Sequence, residues 1–342
     1  MFGRKHYQGR RSANPLFMFF RLILSLTIFL VLLGGVYSAY RHFSGIDPLK
    51  LDPQALLRSA LEAKTPQQLM AVLSSLKVNK FDNKLLNQAN LGNFTKSVPA
   101  TQAAVFKFLL VTDSHNDNAN LRQAISQAKQ AYPNLSFIIG LGDYTDVGTL
   151  DELQAAKKEF DLAGLRYFLL AGDHDLWDSR NRNLPSDTDF KQVFGPTYQS
   201  FIHQGFLLLL LDNSDNYQGF GSAQLDWLGK ELEKGKQEQT KGMLVFMTEP
   251  LYHPSSDHYM GKVEKNLKQQ AQSMIFLLRA AGVKKIFAWD THYFSEYEEP
   301  QTKLPMMTVG AIVADRNPQV PRYAIVTVYE DGSTRVDDVE IK

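Results

Sequence analysis

The sequence predicts an α/β protein, and two observations carry that expectation. From about Ala103 onward, short apolar runs alternate with helical patterns, as buried strands joined by amphipathic helices do. Clusters of Asp and His come directly after the apolar runs, where functional side chains collect in open α/β sheets. Composition agrees. The chain has 342 residues, 44% of them apolar, enough for a buried core and too many for a mainly disordered chain. Lys and Arg number 37 and Asp and Glu 36, so the basic excess of a nucleic-acid binder is missing and no such binding is expected. The chain has no cysteine, which excludes disulfides, thiolate metal ligands and a cysteine nucleophile.

The N-terminal region reads as an anchor. Arg4, Lys5, Arg10 and Arg11 form a basic leader over residues 1–15, and an uncharged apolar run follows from Leu22 to Tyr40. As a helix that run reaches roughly 28 Å, about one bilayer hydrocarbon core. A transmembrane helix over residues 16–40 is therefore expected, in contact with the lipid bilayer. The preceding positive charge places the N-terminus in the cytoplasm and the rest of the chain outside it. A cleaved signal peptide is the competing reading, although Val36-Tyr37-Ser38 is a poor cleavage pattern. Residues 41–102 hold two short amphipathic patterns and an Asn-rich polar stretch, which read as a helical stalk or linker. Residues 103–342 form the α/β domain.

Within that domain the strand-like runs are AVFKFLLVT, LSFIIGL, LRYFLLA, GFLLLLLD, GMLVFM and VKKIFAW. Helical patterns lie in NLRQAISQAKQAY, LDELQAAKKEFDLAG and SAQLDWLGKELEKG. Leu121, Ala124, Ile125 and Ala128 fall on one stripe of the first. In the third, Ser222 suits the cap, Leu225, Leu228 and Leu232 form the apolar face, and Gly235 can close the end. PMMTVGAIVA, RYAIVTVYE and STRVDDVEI are strand-like with no helix between them, which predicts a closing antiparallel section.

Five of the runs end in chemistry-bearing residues: Asp113-Ser114-His115, Gly142-Asp143, Gly172-Asp173-His174-Asp175, Thr248-Glu249 and Asp290-Thr291-His292. Parallel strands would bring these groups to one sheet edge. Asp113, Asp143, Asp173 and Asp290 held close together repel unless protonated or neutralised by cations. With imidazoles from His115 and His292 they form a mixed N/O donor set suited to divalent first-row ions. A pair of such ions is a known device for displacement at phosphorus.

In order and spacing these motifs resemble the calcineurin-like metallophosphoesterase superfamily, whose pattern runs D-x-H, GD-x-x-D, GNH-D/E, a later His and GH-x-H. The resemblance covers about residues 104–320 and includes the LLLLLDNSD strand and the SAQLDWLGKEL helix. It implies a four-layer α/β/β/α sandwich with two divalent metal ions (Mn, Fe, Zn or Mg) and a phosphate-ester substrate. It implies that Asp113, His115 and His292 hold the first metal, that Asp143 bridges, and that Asp173 sits on the second. A metal-bridging hydroxide would attack phosphorus. His174 would be the acid for the leaving group, oriented by Asp175. The sequence departs from the pattern at the second metal. Asp173 replaces the family's Asn, Thr248 with Glu249 beside it replaces the later His, and Trp289-Asp290 replaces Gly-His. Four aspartates would cancel the charge of two divalent ions, and Glu249 would tip the balance negative. An all-oxygen second site is therefore expected, favouring Mn or Mg and a raised pH optimum. The Trp289 indole could crowd the site or point back into the core.

Arg180 and Arg182, after the GDHD turn, are candidate phosphate-binding groups. His253 and His258 could contact substrate, replace a missing ligand, or belong to a solvated loop. Trp177 and Tyr144 could stack on a base or line core and rim. The expected function is a membrane-anchored, metal-dependent hydrolase of a phosphate mono- or diester. The alternative is a degenerate domain of the same fold that binds or scaffolds without catalysis.

Overall fold

The computed structural model describes residues 103–342 apart from residue 316. The expected leader, anchor and stalk lie outside the described residues. Among those described, no helix is long and apolar enough to cross a membrane.

Two sheets form the centre. The first has the order β11-β10-β1-β2-β3 and the second β4-β5-β6-β7-β9-β8. In the first, β1 (Ala104–Val111), β2 (Leu135–Gly140) and β3 (Tyr167–Leu169) run parallel, and β10 (Arg322–Tyr329) and β11 (Thr334–Glu340) close the edge antiparallel. In the second, β5 (Phe206–Leu211), β6 (Gly242–Met247), β7 (Val283–Ala288) and β9 (Pro305–Thr308) are parallel. The short β4 (Gln199–His203) and β8 (Ser295–Glu298) flank them antiparallel.

The central strands, such as β5 and β6, are apolar on both faces because both faces are buried. Alternate residues enter different cores. Phe206, Leu208 and Leu210 of β5 face the other sheet, where they meet Phe106, Phe108 and Leu110 of β1. Leu207, Leu209 and Leu211 face outward, onto α5 (Ser222–Gln237) and α6 (Leu267–Ala281). The outer face of the first sheet is covered by α1 (Asn118–Ala131), α2 (Leu150–Leu162) and α4 (Thr188–Phe194). The result is the expected α/β/β/α layering. Because each parallel strand is followed by a helix or loop at the same end, the carboxyl ends of both sheets form one rim.

The expected helices form with small corrections. In α1 the buried stripe is Leu121, Ala124, Ile125 and Ala128, as the periodicity predicts. A capping box of Thr149 and Glu152 opens α2. In α5, Gly221 is the cap and Ser222 the first helical residue. Gly235 does not end that helix. It lies buried inside it, where an added Cβ would come within 2.8 Å of Leu207, so it lets the helix approach the sheet closely. Of the expected antiparallel section, β10 and β11 behave as predicted. PMMT instead becomes β9, parallel to β7 in the other sheet.

Candidate active site

The strand-end residues come from two sheets, not one. The loop after β1 zips onto the loop after β2: Asp113 N donates to Gly142 O at 2.9 Å, His115 N to Asp143 O at 3.1 Å, and Asn116 N to Tyr144 O at 2.9 Å. On the other sheet, Trp289 N donates to Thr248 O at 3.1 Å. The turns are tight enough that Asp113, His115, Asn116, Asp143 and His292 all take positive φ. That conformation is uncommon for residues with a Cβ, and backbone strain of this kind collects at functional sites.

The side chains form a continuous array. His292 Nδ1 lies 2.6 Å from Asp113 Oδ2, His115 Nε2 lies 2.5 Å from Asp113 Oδ1, and His115 Nε2 lies 3.5 Å from Asp143 Oδ2. Donor atoms of His115, Asp143 and His174 fall within 4.8 Å of one another, and so do those of His258, Asp290 and His292. Asp113 joins the two groups. A cavity of about 490 Å³ opens over them, lined by Asp143, Asp173, His174, Glu249, His258, Asp290 and His292 together with Asn216, Tyr259 and Lys262.

The electrostatics are those of a cation site. Burial, then the charges of Asp173, Asp175, Asp113 and Asp290, push the Asp143 carboxyl well above its usual range. Burial, then Glu249 and Asp173, do the same to Asp290. Glu249 rises to about 8 through burial and the charges of Asp173 and Asp215. Burial also works against ionisation of Asp113, but His115 and His292 outweigh it and hold this carboxyl below its usual range. The Oε2 of Glu249 is buried without a hydrogen-bond partner. A buried carboxylate oxygen without a partner, among mutually repelling carboxyls, fits divalent ions, because positive charge relieves the repulsion and ligation satisfies the atom. The mixed carboxylate and imidazole set suits first-row divalent ions.

His174 is held from two sides. Its Nδ1 lies 2.7 Å from the Asp146 carbonyl oxygen. Its ring stacks on Trp177, centroids 3.8 Å apart. Trp177 is the first residue of α3 (Trp177–Asn181), just past the single 3-10 turn His174–Leu176. Asp175, expected to orient His174, has another task. Its Oδ1 accepts from the Thr145 amide and hydroxyl, and its Oδ2 from the Gly172 amide. It ties the loop after β3 to the loop after β2, so it positions the turn and the Asp146 carbonyl orients the ring.

Other expectations are corrected by where the side chains go. Thr248 is fully buried, and its hydroxyl donates to the Ala171 carbonyl at 2.6 Å. It clamps β6 to the end of β3 and does not face the cavity as a ligand would. Trp289 is fully buried in the core between the sheets, so its indole leaves the rim uncrowded. Tyr144 is likewise core. Arg182 pairs with Asp178 and Asp189, stapling α3 to α4. Arg180 lies 3.4 Å from Asp215 and over the Tyr217 ring. Neither arginine lines the cavity, where Lys262 is the cationic side chain. His253 is not a substrate contact either. Its Nδ1 accepts from the amides of Ser255 and Ser256, its Nε2 meets Ser295, and burial lowers it to about 4.

Asn213 lies outside the motif residues but braces the site. Its Oδ1 accepts from the amides of Thr248 and Glu249, and its Nδ2 donates to Glu249 O. The signal was its place directly after the LLLLLD run. Trp177, three residues before Arg180, is a stacking candidate by sequence, and in the structure it braces His174.

Two sheets carry Asp and His loops on a shared rim, a donor arrangement that suits divalent ions, and the comparisons with known proteins show the family. The model of the calcineurin-like phosphoesterase family matches residues 106–280, about half of the chain, and this protein belongs to that family. It is 25% identical over 224 residues to the human (Homo sapiens) serine/threonine-protein phosphatase CPPED1, covering 60% of this chain and 68% of that one. The mouse (Mus musculus) counterpart is 26% identical over 206 residues, covering 56% and 63%. The structure of purple acid phosphatase PPD1 from yellow lupin (Lupinus luteus) superposes with a TM-score of 0.50 at 12% identity. That match covers 70% of this chain and 54% of the lupin one, and it is a likeness of fold.

Proposed function

We propose that this domain is a metal-dependent hydrolase of a phosphate mono- or diester in which His174 protonates the departing oxygen. The observation that supports this most is the meeting of Asp113, His115, Asp143, Asp290 and His292 at one rim, with His174 on the wall of the same cavity. In this reading Asp113, His115, Asp143 and His292 hold one divalent ion. Asp143, Asp173 and Asp290 face a second, with Glu249 beside it. Ions bound there supply positive charge to phosphoryl oxygens and make water more acidic.

The chain's own groups do the rest. A carbonyl only accepts, so the contact with Asp146 O puts a hydrogen on Nδ1 of His174. Nε2 is then the atom that hands a proton to the leaving oxygen. Trp177 fixes the ring plane, and the His174 amide donates to Asp143 Oδ1 at 3.1 Å, coupling the acid's position to the Asp143 carboxylate. The carboxyl-rich wall repels a phosphate until its charge is offset, so binding of the ester depends on the cations. The phosphatase relatives support the reaction class. The basic leader and the uncharged run from Leu22 to Tyr40 support a bilayer anchor with the domain on the extracytoplasmic side. Protease accessibility of the domain in intact cells tests that placement.

Turnover of p-nitrophenyl phosphate and its diester, with and without Mn, tests the activity. The expected result is metal-dependent turnover that Asp143→Asn abolishes. His174→Ala should slow an alkyl ester by about 10²–10⁴-fold and a nitrophenyl ester by much less, because nitrophenolate leaves without a proton. Absence of turnover with every metal and ester would favour the scaffolding alternative.

A further inference from the structure

We infer that His258 is a ligand of the second metal position and supplies the imidazole that residue 248 does not. The inference rests on the metal-dependent reading above and extends it to a residue outside the family's motif positions.

At residue 248 the family pattern has a histidine, and here the Thr248 hydroxyl is committed to the Ala171 carbonyl. The position is closed to the cavity. Ten residues on, the chain returns an imidazole to the same place. His258 Nδ1 lies 3.9 Å from Asp290 Oδ2, and its ring centroid lies 6.0 Å from that of His292. Donor atoms of these three residues lie within 4.8 Å of one another. An independent observation points to the same spot. Glu249 lines this cavity, is only 6% exposed, and its Oε2 has no hydrogen-bond partner. A buried carboxylate oxygen left unsatisfied is costly unless a ligand completes it.

The loop is built to hold His258 at the rim. Met260 N donates to Pro250 O at 2.9 Å, closing the loop at its base. His253 accepts from the amides of Ser255 and Ser256, and His258 N donates to Ser256 Oγ at 3.0 Å. His253 Nε2 also meets Ser295, just past the segment that carries His292. The buried histidine shapes the turn and the exposed one is presented by it. The chemical consequence reverses the all-oxygen expectation. With His258 and Asp290 the second position is a mixed N/O set, which favours Mn, Fe or Zn over Mg or Ca.

The test is metal titration of the full-length, chelator-stripped protein without substrate. Mn binding is followed by electron paramagnetic resonance and Zn binding by calorimetry. Wild type should bind two Mn ions with imidazole nitrogen coupling at both. His258→Ala should retain the tighter ion, weaken the second by at least about 10-fold and lose nitrogen coupling there, with the melting temperature of the metal-free protein unchanged. His258→Asp should restore binding but not the nitrogen coupling. If wild type binds two ions and His258→Ala binds both as tightly, the inference is overturned and the phosphoesterase reading stands. Unchanged metal binding with a raised KM would assign His258 to the substrate and overturn it equally. If wild type binds no divalent ion, the underlying reading fails, and the inference with it.

Discussion

Gly172→Ala tests whether the site depends on contact between the loops after β2 and β3. A Cβ on Gly172 would lie 1.9 Å from Asp143 Oδ1 and 2.3 Å from the Asp143 backbone nitrogen. The carboxylate can rotate away, but the nitrogen is main chain. To reach an ordinary contact the two loops must part by roughly 1 Å, at a cost of about 1–3 kcal/mol in a packed interior. For a domain of this size that lowers the melting temperature by roughly 2–4 °C per kcal/mol. The functional loss should be larger. Asp143 Oδ1 accepts from the His174 amide, so the shift moves both the Asp143 carboxylate and His174. Misplacement of reacting groups by ~1 Å costs about 10²-fold. The assay is kcat/KM on p-nitrophenyl phosphate with saturating Mn, alongside Mn titration and thermal melting. The expected variant is folded, at least about 10²-fold slower and weaker in metal binding. Wild-type turnover and metal affinity in a folded Gly172→Ala protein would refute the reasoning.

Three further outcomes follow from the same structure. Gly229 sits on the exposed face of α5 with nothing within 4 Å of its virtual Cβ, so Gly229→Ala should stabilise by about 0.5–1 kcal/mol with activity unchanged, read by denaturant melts. Burial lowers His253 to about 4 from 6.5. Its neutral form is therefore favoured in the fold, and its contribution is complete above about pH 6.5 and lost as pH falls toward 4. That amounts to roughly 3 kcal/mol, and His253→Gln should flatten the pH dependence of stability in that window; an unchanged slope would argue against it. Trp177→Ala removes the face on which His174 stacks. It should lower kcat on an alkyl phosphate ester by about 10-fold or more with Mn affinity retained, and equal loss of both would point to general damage instead.

The layered fold was legible because strands buried on both faces are apolar throughout, as in Phe206–Leu211, and because the α1 stripe follows helical spacing. Three helices are not evident in the sequence pattern, Trp177–Asn181, Thr188–Phe194 and Leu267–Ala281, and the last is the longest. The segment Leu267–Ala281 buries Leu267, Ala271, Met274, Ile275 and Leu278 but exposes Phe276 and Leu277, which blurs the stripe. The parallel pairing of β6 with β7 requires a crossover there, a constraint visible only once the pairing is known. Asp113, His115, Asp143 and His292 were readable from motif order. Their positive φ values were not, since none is glycine. The exchange between Thr248, His253 and His258 was hidden for a different reason. Which of three polar residues turns inward is decided by loop hydrogen bonds, and the sequence offers no periodicity across such a segment.

In the proposed function, divalent cations hold carboxylates and imidazoles from both sheets together at the rim. Anomalous diffraction at the Mn edge from crystals grown with Mn tests it most directly. One peak is expected among Asp113, His115, Asp143 and His292 and a second beside Asp290, Asp173 and His258. A rim in which those side chains pair with one another at full Mn concentration, with no anomalous density between them, would contradict it.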